Sequence, residues 1–289
     1  MGEFKDFDFA DGRSSQIKSG GSVPPPLSAK FSEQGVSHHP DGYMIFLAPD
    51  KLKQCDEYLE SDPYSVKQNI DSSFHQRRID LTVELVQEAL IQCSDSEPQI
   101  LDIGCGQGHI TDRIRQALPG TQLSGMDYSI SAIDYAHKHF PEIEFIVADA
   151  YEIPYETGFF DVVVCNNIWE HVPDPLFLLN SIKRVLKPGG HIVISTPSRY
   201  RLNNLLNVLR GRPVHLMSKY HVTEYTVGQV KEQLAYGGFE VTRALSRPSA
   251  AWSLKSNIAR IIFSRLIRLI GSHHRLEETI FYLARKYPE

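Results

Sequence analysis

Three glycines at alternate positions, Gly104, Gly106 and Gly108, follow the apolar run Ile100, Leu101 and Ile103, and an amphipathic stretch begins at Ile110. That order reads as a buried strand, a tight turn and a helix. Backbone without a Cβ can take φ > 0 and lie close against a ligand, while the start of a helix offers unpaired N–H groups. A dinucleotide fingerprint would space its glycines G-x-G-x-x-G, but the third position of that pattern here is His109. Asp102 stands just before the turn, and Asp127 ends a second apolar run, LSGMD, about twenty residues after Gly108. From there a carboxylate reaches a ribose diol, so a nucleoside is the expected ligand.

The elements around this turn alternate as a parallel sheet requires. Strands are expected near Gln99 to Gly104, Gln122 to Asp127, Glu144 to Ala148, Asp161 to Asn166 and His191 to Thr196. Helices are expected near His109 to Leu118, Ile130 to His139 and Pro175 to Leu186, and a helical stripe through Ile79, Leu81, Val83, Leu85, Val86 and Leu90 precedes them. Ligands bind outside the carboxyl ends of such strands. Gly104, Asp127, Asp149 and Asn166 all fall there.

The successive stretches ILDIGCGQG, GMD, VADAYEIP, FDVVVCNNIWEHV and VLKPGGHIVISTP resemble the motifs of class I S-adenosylmethionine-dependent methyltransferases, over about Phe74 to Leu245. The resemblance implies an α/β, Rossmann-like fold: a mostly parallel seven-stranded sheet with helices on both faces, one reversed strand near its edge, and a helical lid. It implies S-adenosyl-L-methionine as cofactor. The backbone of Gly104, Cys105, Gly106, Gln107 and Gly108 would approach its amino-acid moiety and ribose, beside Asp102 and Asn166. Asp127 would accept from the ribose hydroxyls, Tyr128 flank the adenine, Asp149 take the exocyclic amine and Ala150 supply a backbone donor. Arg78, with Arg77 beside it, is the family's basic residue toward the cofactor carboxylate or else a solvated helix face. Asp149 has a turn-cap reading as well.

Methyl transfer needs an acceptor held in line with the S–CH3 bond, and a hydroxyl acceptor must also lose a proton. His171, in CNNIWEHVPDP, and His221 are the candidate bases; lining the pocket, capping or packing are their other roles. The wording around Glu170 and His171 is similar to the O-methyltransferases of ubiquinone biosynthesis, where an acid three residues before the Glu-His pair completes a metal site. That position is Asn167 here, and a neutral amide is a poorer ligand for a hard dication. The His38 and His39 pair lacks a second pair to complete a site, so no metal is assigned.

The domain reading is a flexible N-terminal tail over 1–42, an N-terminal helical cap segment over 43–98 and the cofactor-binding core over 99–198. A substrate lid over 199–225, the end of the core over 226–250 and a C-terminal amphipathic helical segment over 251–289 complete it. Trp252 to Ile270 interleaves apolar residues with Lys255, Arg260, Arg265 and Arg268, too many charges for a spanning helix. Peripheral membrane contact through 252–270 and docking on the domain or on a second copy, as a homo-oligomer, are both open. A formal charge of -5 argues against a dedicated nucleic-acid surface. Cys55, Cys93, Cys105 and Cys165 form no CxxC pair, and no apolar signal region follows the N-terminus, so a cytoplasmic location is expected. The expected acceptor is a hydroxyl on a small molecule, sugar or lipid-like precursor. The rival readings are a non-catalytic scaffold that binds the same cofactor, and an NAD-dependent oxidoreductase.

Overall fold

A computed structural model describes residues 37–48, 51, 73–93, 95–246, 258, 261–262, 265 and 278–287. Its centre is one sheet with strands β1 (Ser37–His38), β2 (Met44–Ile45), β3 (Gln99–Ile103), β4 (Gln122–Asp127), β5 (Glu144–Val147), β6 (Phe160–Asn166), β7 (Leu186–Pro197), β8 (Phe239–Leu245) and β9 (Thr279–Lys286). The spatial order is β1-β2-β5-β4-β3-β6-β7-β9-β8. Strands β2 to β7 run parallel to one another, while β1 and β9 run antiparallel to their neighbours. The chain leaves β3 for β4 and β5 on one side and returns to β6 on the other. That reversal opens a crevice at the carboxyl ends of β3 and β6.

Helices cover both faces because the central strands are apolar on both. Ile100, Val162, Val164 and Val193 pack beneath helices α1 (Ser73–Leu90), α2 (His109–Ala117) and α3 (Ile130–His139), through Leu81, Leu85, Val86, Ile114, Ile133 and Ala136. Leu101, Ile103, Val163, Ile192 and Ile194 face α4 (Pro175–Val185) and, through Val230 and Leu234, α6 (Val227–Tyr236). Between β7 and α6 lies helix α5 (Leu202–Leu209), in the segment 199–225 expected to be a lid and called the lid below. Thr226 caps α6 in a reciprocal box: its hydroxyl accepts from Gln229 N–H, and the Gln229 side chain accepts from Thr226 N–H.

Three boundaries expected from sequence are corrected. Residues 37–42 belong to a hairpin, not a tail: Ser37–His38 pairs with Met44–Ile45, which extends β5 in parallel, and Gly42 turns it with φ 104°. The segment expected to form a helical cap therefore begins as sheet, with β2 inside the apolar run Tyr43 to Leu47 that reads from sequence as a strand or a docking segment, and the strand count rises from seven to nine. Residues 279–286, expected within a helical segment, form β9, inserted between β7 and β8 as the reversed strand. All but Arg285 of that strand is buried, so its sequence shows no alternation from which to read a strand. Of the expected helix over 252–270, the described Ile258, Ile261, Ile262 and Arg265 are helical and exposed; the rest lies outside the described residues. Among the described residues no helix is long and apolar enough to cross a membrane.

Candidate functional site

The turn after β3 takes the conformation its glycines permit, with φ +68° at Gly104, +54° at Gly106 and +79° at Gly108. Space demands glycine as much as torsion does. A Cβ on Gly104 would stand 2.2 Å from Ile168 Cδ1, and one on Gly108 2.8 Å from the Phe145 ring. The turn is tied to the end of β4: Gly106 N–H donates to Asp127 Oδ2 and Ser129 N–H to Asp127 Oδ1, both at 2.9 Å. Two backbone donors thus fix the carboxylate plane, and a carboxylate offers about four lone-pair directions. Tyr128 beside it is exposed, while Gln107 is buried. Cys105 contributes only backbone here, since its thiol is buried and lies beside Gly125.

Asp102 is 2% exposed and accepts from Thr111 Oγ1 at 2.7 Å. Burial, outweighing that bond, pushes its carboxyl up to about 7. The unfolded chain therefore releases this proton near pH 4 and the folded one near pH 7, so stability falls with rising pH across that window. Asp102→Asn keeps an oxygen for Thr111 and is expected to stabilise the fold by up to about 4 kcal/mol at pH 8, with little change near pH 4. Urea unfolding at both pH values checks this; an equal effect at both would remove the buried charge as the cause.

At the end of β5, Asp149 Oδ1 accepts from Tyr151 N–H at 2.9 Å, the turn-cap geometry, while Oδ2 lies 3.5 Å from Lys51 Nζ. Ala150 follows in the same turn. Lys51 also stands 3.6 Å from Glu152, and sequence reasoning missed it because nothing local links it to a residue almost a hundred positions on. On α1, Arg78 has a buried Nε, and its carbonyl accepts from Thr82 Oγ1. Thr82 in turn accepts from Asn166 Nδ2 at 2.9 Å, so the start of α1 is fastened to the end of β6. Asn166 Oδ1 is buried with no hydrogen-bond partner among the described residues, an acceptor left at the strand-end edge. His75 is pushed down to about 4 by burial and by Arg78.

The loop after β6 starts with Asn167 at φ 54°, outside the usual range of a residue with a side chain. Its Oδ1 accepts from Ser195 Oγ at 3.0 Å and its Nδ2 donates to Glu170 Oε1 at 2.9 Å. Glu170 is fully buried, and its Oε2 has no hydrogen-bond partner among the described residues. Burial pushes this carboxyl up, with the Asn167 bond opposing. The Glu170 carbonyl accepts from Val222 N–H at 2.8 Å, which pins the end of the lid to this loop. His171 and His221 meet ring to edge, centroids 4.9 Å apart.

His221 is held from behind. Its Nδ1 lies 2.9 Å from Glu224 Oε1, and the fully buried Glu224 also accepts from Met217 N–H and from Arg201 Nη1. Burial works to raise the Glu224 carboxyl, but these donors outweigh it and hold it below the usual range. A hydrogen on His221 Nδ1 fits this acceptor, the tautomer that has its lone pair on Nε2. Arg201 Nη2 continues to the His215 carbonyl at 2.6 Å. Arg201 and Glu224 were not singled out as partners from sequence, where they stand apart across the lid.

Among the described residues, three groups of side chains have the spacing of metal ligands: Glu170, His171 and His221; His39, Asp41 and Asp134; Cys93, Asp95 and Asp161. Lysine fills the last two. Lys138 reaches Asp41 at 3.3 Å and Asp134 at 3.7 Å, and Lys187 bonds both Asp95 and Asp161. The first group lies on the edge that carries the glycine turn, for Ile168 of its loop packs where a Gly104 Cβ would be.

A family model described as "Methyltransferase domain" matches residues 94–244, more than half of the chain. A ubiquinone biosynthesis O-methyltransferase of Alkalilimnicola ehrlichii is 35% identical over 116 residues, 38% of this chain and 46% of that protein. A probable S-adenosylmethionine-dependent methyltransferase of Mycolicibacterium smegmatis is 29% identical over 146 residues, 50% of this chain and 53% of that protein. The chain thus spans about half the length of these curated relatives. Among solved structures, a putative sarcosine dimethylglycine methyltransferase from Galdieria sulphuraria superposes with TM-score 0.52 at 18% identity, over 74% of this chain and 86% of that one. The [4+2]-cyclase SpnF does so with TM-score 0.53 at 20% identity, over 76% and 85%. A cyclase on the same scaffold shows that fold alone does not fix the reaction. The strand order, the glycine turn with its acid on β4 and the family match converge: the chain belongs to the methyltransferase domain family, as a class I member whose cofactor is S-adenosyl-L-methionine.

Proposed function

We propose that the protein transfers the methyl group of S-adenosylmethionine to a hydroxyl of a small acceptor held between the glycine turn and the lid. The S–CH3 bond breaks as the O–CH3 bond forms in line with it, S-adenosylhomocysteine departs, and the hydroxyl proton is drawn off by the groups it faces. His171 and His221 are those groups. One observation carries the reading: the loop bearing Glu170 and His171 packs on the cofactor turn through Ile168, and the same loop binds the lid end that carries His221. Cofactor and proton acceptor thus share one edge under one cover, from which water is displaced when the acceptor fills it.

The lid bears on the acceptor's class. Over 199–225 it carries Arg199, Arg210, Arg212 and Lys219 beside one acid, Glu224, which is buried against Arg201. It also presents Leu209, Leu216, Met217, Tyr220 and Val222 to solvent. Apolar and basic groups side by side favour a lipid-like acceptor that carries a negative group over an uncharged sugar.

The test is S-adenosylhomocysteine formation against a panel of hydroxylated acceptors, preceded by calorimetry of cofactor binding. Turnover confined to amphipathic anionic acceptors is expected. Cofactor binding with no product across the panel would favour a scaffold, and saturable NAD(H) binding without response to S-adenosylmethionine would favour an oxidoreductase.

A further inference from the structure

We propose that Arg199 receives an oxyanion of the acceptor, a carboxylate or a phosphate, and so decides which hydroxylated molecules enter the site. The cations of the lid differ in what they face. Arg201 is buried and answered by Glu224. Arg210, Arg212 and Lys219 stand exposed, where water solvates a lone charge. Arg199 is half-buried, and no carboxylate lies within ion-pair distance of it among the described residues. Drawing a guanidinium from water without a counter-charge costs free energy, which an anion from outside the chain recovers. The backbone that carries it is fixed on both sides. Arg199 N–H donates to the Tyr225 carbonyl at 3.0 Å, and the Arg199 carbonyl accepts from Nδ2 of the buried Asn204 at 2.8 Å. Less order is therefore left to be imposed when the side chain meets a ligand.

Its place fits an acceptor contact better than a cofactor contact. Arg199 stands just past the end of β7 on the carboxyl edge, where Ser195 of the same strand bonds Asn167 of the loop after β6. β7 lies two strands from β3, about 10 Å across the sheet. A small molecule whose hydroxyl meets the cofactor at the glycine turn can thus set a negative group over β7. The end of that strand also carries unused hydroxyls: Thr196 Oγ1 and Ser198 Oγ are buried with no hydrogen-bond partner among the described residues. A buried polar group left unsatisfied marks a position that a ligand or a water completes. A guanidinium fork matches the paired oxygens of a carboxylate or phosphate, and it gives an uncharged sugar no comparable advantage. The inference rests on the methyl-transfer reading for the hydroxyl, but not for the anion.

The anion is detected without turnover. The full chain, saturated with S-adenosylhomocysteine, is titrated by calorimetry with octyl phosphate, octanoate, the uncharged octyl glucoside and inorganic phosphate, each below its micellar concentration. The better of the two octyl anions should bind at least about 30-fold tighter than octyl glucoside, and which one leads identifies the group. Inorganic phosphate, which lacks the apolar tail, should bind at least about 10-fold more weakly than octyl phosphate. Arg199→Met should abolish the preference for the anion, while Arg199→Lys retains part of it, since the charge stays and the fork goes. Arg212→Met, exposed on the same lid, should leave it unchanged. Circular dichroism and S-adenosylmethionine affinity, both expected to match the parent in every variant, separate loss of the subsite from misfolding. A parent that binds octyl glucoside as tightly as both octyl anions overturns the inference, because no anion subsite is left. So does a preference weakened equally by Arg199→Met and Arg212→Met, the mark of a diffuse field, and so does inorganic phosphate that binds as tightly as octyl phosphate, the mark of a site for free oxyanions. Methyl transfer to an anionic acceptor with a KM unmoved by Arg199→Met overturns the role of Arg199 and keeps the methyl transfer. A preference abolished by Arg199→Met in a chain that methylates no hydroxyl does the reverse.

Discussion

Asp127→Ala is expected to weaken S-adenosylmethionine binding by more than about 100-fold while leaving the fold intact. Two losses add. A hydrogen bond to a charged group is worth about 1.5–3 kcal/mol, and a carboxylate that grips a ribose diol makes two of them. The same carboxylate also accepts from Gly106 N–H and Ser129 N–H, so its removal releases the turn that should meet the cofactor. At about 1.4 kcal/mol per tenfold, the first loss alone reaches 100-fold. Asp127→Asn should be nearly as damaging, since the amide presents a donor to one of two backbone N–H groups. Calorimetry reads the affinity, and circular dichroism reads the fold. Unchanged affinity in Asp127→Ala would remove this residue from the cofactor site.

What the sequence made legible follows from period and spacing. The run before Gly104 and the run ending at Asp127 are apolar because β3 and β4 are buried on both faces, and the residues expected to face a ligand fall at their ends because parallel strands share one direction. β1 is two residues long, shorter than any window in which a period can be seen, and β2 shows only as the apolar run Tyr43 to Leu47, which leaves strand and docking segment undistinguished. β9 was illegible for the opposite reason: burial on both sides erases alternation, and its partners β7 and β8 lie far upstream. The site behaves the same way. Gly106 and Asp127 could be paired from their spacing, whereas the engagement of Asn167 by Ser195 and the arrival of His221 beside Glu170 depend on how the lid folds back. Glu224 was visible only as a residue near the start of α6. That it anchors His221 is a fact of burial and partners, which spacing does not encode.

That anchor makes the lid's stability depend on one guanidinium. Arg201 is 7% exposed and Glu224 is fully buried, so neither charge has water to fall back on. Arg201→Met keeps the length of the side chain and removes the charge, leaving an ionised carboxyl with only His221 and Met217 N–H as donors. Breaking a buried pair from one side costs about 3–5 kcal/mol. The loss of the bond to the His215 carbonyl adds to it on the same segment. Most of that cost should appear as local opening, because the lid helix is short and exposes Val208 and Leu209, while β3 and β6 lie in the middle of the sheet. Hydrogen exchange of Arg201→Met is therefore expected to speed by about 100-fold across 202–222 and to stay near the parent rate in β3 and β6. Cofactor affinity, expected to depend on the Asp127 side of the crevice, should survive, and the acceptor side should fail. Equal protection of the lid in variant and parent would mean that the Arg201–Glu224 pair holds nothing in place, and that His221 owes its position to some other contact.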